Sequence, residues 1–231
     1  MIDWHSHILP GMDDGSRDVA ESLALLKMLR EQGVRTVVAT PHFYANDESV
    51  ESFLKRRKES YERLMAQVPQ DAPKILLGAE VRYYPGIGRM EELSRLCIEG
   101  SKVLLLEMTM SKWTQYSVRE LIELAGTRDV QLVMAHIERY MSLQSDSVWE
   151  QLLENGVLMQ VNTEFFTQFG SKHKAIRYLE SGRVQLLGSD CHNTKSRPPL
   201  FDKAGKLICK KLGDEFISQL NEFGYSVLAK N

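Results

Sequence analysis

Seven short apolar runs recur along the 231 residues, and segments of helical periodicity separate them. The runs are Met1–His5, Arg35–Thr40, Lys74–Glu80, Lys102–Glu107, Val130–Ala135, Val157–Val161 and Arg183–Ser189. Short, nearly continuous apolar strands that alternate with helices predict a parallel sheet covered on its faces by those helices. No repeat, low-complexity tract or linker interrupts the pattern. The expectation is one α/β domain over residues 1–231, a distorted, seven-stranded βα barrel, with an open doubly wound sheet as the alternative. Asp18-Val-Ala-Glu21 reads as a capping box that opens the first helix. Further helices are expected near 49–67, after Pro85-Gly86 to about 98, and near 117–127, 147–155, 172–181, 201–211 and 214–223. Residues 225–229 fit either an eighth strand or a docked tail.

In such folds the chemistry gathers at the carboxyl ends of the strands, and here those ends are polar. His5 and His7 end the first run and His42 follows the second. Glu80 ends the third, Glu107 the fourth and His136 follows the fifth, while Asp190 and His192 follow the seventh. Five of the six histidines stand at such positions; His173 is the exception. A single histidine at a strand end is ordinarily a hydrogen-bonded structural residue. Coincidence at nearly every strand is different, because so many carboxylates and imidazoles cannot be buried together without a compensating cation. The donors are nitrogen and oxygen, which suits Mn2+, Fe or Zn2+. They outnumber the needs of one ion, so two or three metals bridged by a carboxylate are expected, with Glu80 as the central bridge. Multinuclear sites of this kind favour hydrolytic displacement at phosphorus. Arg139 and Arg197 lie on loops of the same face, and guanidinium groups fork onto phosphate oxygens.

Charge excludes other classes. The chain has 29 Lys and Arg against 31 Asp and Glu, a net charge of −2, without the basic excess of a nucleic-acid binder. No apolar run approaches the roughly 18 residues of a membrane span, and no signal peptide is visible. Three widely spaced cysteines, 97, 191 and 209, are no disulfide framework, which suggests a cytoplasmic protein.

The segments HSHILPGMDDGSRD, TPHFY, LLGAEVRY, LLLEM, AHIERY and LGSDCHNTKSRPP run in order along almost the whole chain. Together they resemble the PHP (polymerase and histidinol phosphatase) superfamily. More closely, they resemble its metal-dependent protein-tyrosine phosphatases of bacterial capsule and exopolysaccharide gene clusters. The resemblance implies a distorted (β/α)7 barrel with a trinuclear, often manganese-loaded site. It implies one ion on His5, His7, Glu80 and Asp190, a second on Glu80, Glu107 and His136, and a third on Asp14, His42 and His192. Arg139 and Arg197 match the phosphate-binding arginines. The implied substrate is phosphotyrosine on the tail of a partner bacterial tyrosine kinase, hydrolysed by direct attack of a metal-bridging hydroxide without a phosphoenzyme. Nearest among the alternatives is a phosphatase acting on histidinol phosphate or another small molecule; a noncatalytic metal-binding module is a different class.

Cys191 departs from the small residue expected there and completes Cys-x5-Arg with Arg197, the pattern of the unrelated cysteine-dependent tyrosine phosphatases. The loop has no glycine to bring its backbone to a phosphate, and alternation turns Cys191 away from Asp190 and His192, so the match is expected to be coincidental. Tyr44, Tyr83, Tyr84, Trp113 and Tyr116 are expected either to line a cleft for the phosphotyrosyl ring or to pack as ordinary rim residues. Asn162 and Glu164 are expected to support the site or cap a helix, and Asp13 to shape the turn or orient a ligand.

Overall fold

The computed structural model describes residues 1–127 and 130–229. Its strand segments are β1 (Ile2–Ser6), β2 (Thr36–Ala39), β3 (His42–Phe43), β4 (Lys74–Leu77), β5 (Glu80–Arg82), β6 (Val103–Glu107), β7 (Gln131–Met134), β8 (Leu158–Asn162) and β9 (Leu186–Gly188). Pro41 divides the second strand into β2 and β3, and Gly78-Ala79 divides the third into β4 and β5. A side chain at Gly78 would press within 3.3 Å of Thr40 and Val38, so the chain narrows there before it resumes. The pairings are all parallel, in the orders β1-β2-β4 and β3-β5-β6-β7-β8-β9. The ring closes where β9 returns to β1: Asp190 N donates to His5 O at 2.7 Å and His7 N donates to Cys191 O at 3.0 Å. The fold is therefore a distorted (β/α)7 barrel rather than an open sheet.

Alternate residues divide the core. Val38, Val103, Leu105, Val133 and Leu186 converge from different strands in the barrel interior with Ile2 and Trp4. Their neighbours Val37, Leu104, Leu106, Leu132 and Leu187 face the helices outside. The helices are α1 (Val19–Glu31), α2 (Val50–Met65), α3 (Gln115–Thr127), α4 (Asp146–Glu154), α5 (Lys172–Glu180), α6 (Phe201–Leu212) and α7 (Asp214–Ala229). Asp18 caps α1 by accepting from Glu21 N at 2.9 Å, and Gly33, at φ 83°, ends it.

One expectation changes and one open alternative is decided in favour of a docked tail. The segment after Pro85 forms no α-helix; it makes 3-10 turns at Ile87–Arg89 and Leu93–Leu96. Tertiary bonds decide this, since Glu120 accepts from both Tyr83 Oη and Gly86 N at 2.8 Å and pins the chain in another path. The C-terminal tail is the end of α7, not a strand. Val227 joins the interior cluster, and Gly224 lies so close to β1 that a Cβ there would stand 3.2 Å from Ile2 Cδ1.

Candidate metal centre and phosphate site

β1 carries one residue more than β2 between two paired positions: Asp3 pairs with Val37 and Ser6 with Ala39. This bulge lets Trp4 enter the interior cluster while His5 also turns inward, where its Cβ would clash with any side chain at Gly188. The loop after His7 then doubles back, with Ser16 N donating to His7 O at 2.9 Å. It can do so only through glycine, because a Cβ on Gly15 would lie 2.4 Å from His7 Cβ. The fold-back brings Asp13 and Asp14 over the barrel mouth. Two non-glycine residues among those described have positive φ, His136 at 33° and Asp190 at 50°. Both stand just past strand ends. Such conformers cost about 1–3 kcal/mol each and persist where surrounding bonds over-determine them. His136 N is held by Gln160 Oε1 at 2.8 Å, and Asp190 N by His5 O.

The eight strand-end residues and Asp14, from the loop after His7, meet at the mouth. Donor atoms fall within 4.8 Å of one another in four groups: His7, Asp14, His42 and His192; His5, His7 and Asp190; His5, Glu80 and His136; and His42, Glu80 and Glu107. Glu80 lies at the centre, fully inside the barrel at the start of β5. Its Oε1 is 2.7 Å from His136 Nε2, and its Oε2 is 2.9, 3.2 and 3.3 Å from His42 Nδ1, His5 Nε2 and His7 Nε2. Burial works to raise the Glu80 pKa, but His5, His136 and His42 hold it well below the carboxylate range. Burial and the charge of His7 push His192 down to about 4.

The protonation logic shows that this pocket fits a cation. Gln160 Oε1 accepts the His136 N–H, which fixes which end of the amide is oxygen. That same oxygen sits 3.3 Å from His5 Nδ1, so Nδ1 carries the proton and Nε2 keeps its lone pair. Asp13 Oδ2, 2.8 Å from His7 Nδ1, fixes the same tautomer there. The two Nε2 atoms then face each other at 3.1 Å, ringed by Glu80 Oε2 and Asp190 Oδ1. Four acceptors pointing at one spot require a positive charge between them. Glu80 Oε2, His42 Nδ1 and His192 Nε2 are buried and have no hydrogen-bond partner among the described residues despite their close neighbours, as expected of atoms arranged for metal coordination.

Without a cation, a proton takes its place. Burial opposes charge on His7, but Asp13, Asp190 and Glu80 hold its pKa well above the imidazole value. Metal loading therefore displaces a proton, and affinity rises with pH until His7 is neutral in the metal-free protein. Calorimetric titration of the chelated protein in two buffers of different ionisation enthalpy should report this proton; equal heats would contradict it.

Residues beyond the strand ends complete the arrangement. Gln160, in mid-β8, joins Asn162 through Nε2 at 3.0 Å, and Asn162 donates to Asp190 Oδ2 at 2.9 Å. Tyr140 Oη is 3.3 Å from His136 Nδ1, and Arg82 pairs with Glu107 at 2.6 Å. Asp13 also accepts from His42 N at 3.0 Å, so it orients two histidines besides shaping the turn. The sequence signal for Gln160 was a polar residue within an otherwise apolar strand; Arg82 and Tyr140 stand within LLGAEVRY and AHIERY, which carry no sign of their part in the site. Among the described residues, Glu164 bonds near its own turn, to Gln168 and Thr167. Arg139 and Arg197 both pair with Asp190 Oδ2, Arg197 at 2.7 Å. Each is partly exposed and keeps further N–H groups for a ligand. Of the five aromatics, Tyr44 alone stacks on a cluster residue, His42, at 5.3 Å and 26°. Trp113 packs between Tyr140 and Trp149, and Tyr83 is tied to Glu120.

A family model for capsular polysaccharide synthesis proteins, CpsB/CapC, matches residues 1–223. The chain belongs to the CpsB/CapC family. It is 32% identical to the tyrosine-protein phosphatase CpsB of Streptococcus pneumoniae, over 95% of this chain and 94% of that one. It is also 29% identical to the tyrosine-protein phosphatase YwqE of Bacillus subtilis, over 96% of this chain and 89% of that one. A crystal structure from work on YwqE and CpsB, described there as metal-dependent tyrosine phosphatases, matches with a TM-score of 0.85 and 26% identity, covering 100% of this chain and 96% of that chain. The histidinol phosphate phosphatase of Lactococcus lactis shares the fold at a TM-score of 0.50 and 12% identity, over 90% of this chain and 92% of that one.

Proposed function

We propose that this protein is a metal-dependent phosphatase that hydrolyses phosphotyrosine on protein, its substrate being the phosphorylated tail of a bacterial tyrosine kinase that regulates capsular or exopolysaccharide synthesis. The observation that carries this reading is the buried histidine–carboxylate cluster bordered by two arginines that share one oxygen of Asp190. Two or three ions, Mn2+ before Zn2+ or Fe, suit a donor set of imidazole and carboxylate alone. His5, His7, Glu80 and Asp190 would hold one; Glu80, Glu107 and His136 a second; Asp14, His42 and His192 a third. When bound, such ions lower the pKa of water and neutralise phosphoryl oxygens.

The chain's own residues supply the rest. Arg139 and Arg197 are anchored through Asp190, so their free N–H groups are pre-aimed at the equatorial phosphoryl oxygens and need not reorganise as charge develops. Gln160 and Asp13 keep the Nε2 atoms of His5 and His7 available. Tyrosinate leaves with a phenol pKa of about 10, so no strongly placed general acid is needed. A cytoplasmic location fits the three free cysteines.

The test is turnover of a phosphotyrosyl peptide and of histidinol phosphate by the manganese-loaded protein. Phosphotyrosine is expected to be the better substrate; turnover of histidinol phosphate alone would overturn the reading. Arg139→Ala and Arg197→Ala are each expected to lower kcat/KM about 10²-fold, the usual effect of losing one transition-state donor. Unchanged kcat/KM in both variants would remove the arginines from the phosphate site.

A further inference from the structure

We propose that the open cavity beside His42 receives the phosphotyrosyl ring and its flanking residues, with Tyr44 as its aromatic wall and Asp47 setting a preference for neutral or basic neighbours. This deepens the phosphatase reading and rests on it. The cavity measures about 550 Å3, within the range of ligand pockets, and Met12, Asp14, His42, Tyr44, Asp47 and Arg56 are among its lining residues.

Accessibility selects this side. Most of the cluster is sealed: His5, His7 and His136 are fully buried, and Glu80, His192 and Asp190 nearly so. Asp14 and His42 are the most open donors, with side chains 66% and 18% exposed against 9% for Glu107. Asp14 belongs to both regions. Its Oδ1 lies 3.3 Å from His192 Nε2 and 3.5 Å from His42 Nε2, its Oδ2 lies 4.0 Å from Arg197, and its residue lines the cavity. A phosphoryl group held by the arginines at the cluster therefore directs its ester oxygen, and the ring beyond it, into this cavity.

Tyr44 suits the ring. One face of the phenol stacks on His42, and the residue is 37% exposed, which leaves surface for a second aromatic partner. The charge of the walls is unbalanced. Glu48 is paired with Arg56 at 2.9 Å, and Asp14 is occupied with the cluster. Asp47 is exposed and has no ion-pair partner among the described residues. An acidic residue beside the phosphotyrosine would meet this carboxylate, and a basic one would be drawn to it, with an effect that weakens as salt rises.

The experiment uses the manganese-loaded protein, its Tyr44→Ala, Tyr44→Phe, Asp47→Asn and Asp47→Lys variants, and metal content as a parallel readout. Substrates are phosphotyrosyl peptides flanked by Lys or by Glu, and acetyl phosphate, which is activated but has no ring. The ratio of kcat/KM for peptide over acetyl phosphate should fall about tenfold in Tyr44→Ala, through KM, and stay near wild type in Tyr44→Phe. Wild type should favour the Lys-flanked peptide about threefold at low salt, Asp47→Asn should lose that preference, and Asp47→Lys should reverse it. An unchanged ratio in a fully metallated Tyr44→Ala, or an unaltered flanking preference in both Asp47 variants, overturns the proposal while the phosphatase reading stands. Metal loss with equal decline on both substrates assigns Tyr44 to supporting His42 and also overturns it. Wild type inactive on both peptides would instead overturn the phosphatase reading itself.

Discussion

Chelation is expected to abolish phosphotyrosine turnover, by more than about 10³-fold, whereas Cys191→Ser retains it within about twofold. The two results separate metal chemistry from the thiolate chemistry that Cys-x5-Arg would suggest. A nucleophilic cysteine is an accessible thiolate of lowered pKa. Cys191 is fully buried in the cluster between sheet and helices, and burial, reinforced by the charge of Asp3, pushes its thiol up to about 12. The following loop is no phosphate cradle either. Three of its backbone donors are already taken by one side chain: Asn193 Oδ1 accepts from Lys195 N at 3.0 Å, Ser196 N at 2.8 Å and Arg197 N at 3.4 Å. His192 N meanwhile donates to Arg197 O at 3.0 Å. The loop serves to present His192 and Arg197, and the cysteine beneath it fills space. Turnover that resists EDTA and disappears in Cys191→Ser would reverse this assignment. Cys191→Ala, free of the buried hydroxyl, controls for instability.

The barrel was legible because period and composition agreed along the chain: parallel strands buried on both faces are apolar throughout, and polarity returns only where each strand runs out. The donors were legible for the same reason, since polar residues at strand ends have few other uses when so many coincide. What stayed hidden depends on contacts between residues distant in sequence. The bulge that turns both Trp4 and His5 inward is a register mismatch with β2, which no local pattern in Met1–His5 announces. Gln160 was visible as a polar interruption, yet its task of setting the His5 tautomer appears only once His136 is placed across the barrel. The failed helix after Pro85 was lost to Glu120, which lies 34 residues from Gly86. The aromatics were undecidable from sequence because Trp113 and Tyr44 both follow strand ends, and only packing separates the buried one from the one at the mouth.

Glu80→Gln is the substitution expected to cost most at the metal centre. Glutamine keeps the shape and replaces a carboxylate by an amide with one acceptor oxygen and two donor hydrogens. At most positions that exchange is mild. Glu80, however, stands against His136 on one oxygen and His5, His7 and His42 on the other, with 1% exposure. An NH2 group on the side of His5 and His7 would donate into the Nε2 lone pairs that a cation needs and has no lone pair of its own to give an ion, and the cluster would lose the charge that its histidines offset. The variant is expected to lose at least one ion per chain and more than about 10³-fold in kcat/KM, with a native circular dichroism spectrum. Stability discriminates further. Metal that binds only the folded state adds about 2.7 kcal/mol at a hundredfold excess over Kd. Wild type should therefore gain in Tm on manganese addition, and Glu80→Gln should lose most of that gain. Asp14→Ala provides the contrast: at the exposed edge of the cluster, it should release one ion and leave the His5–His7 position loaded. A Glu80→Gln protein with full metal content and full activity would show that Glu80 bridges nothing, and the cluster would have to be divided around Asp190 instead.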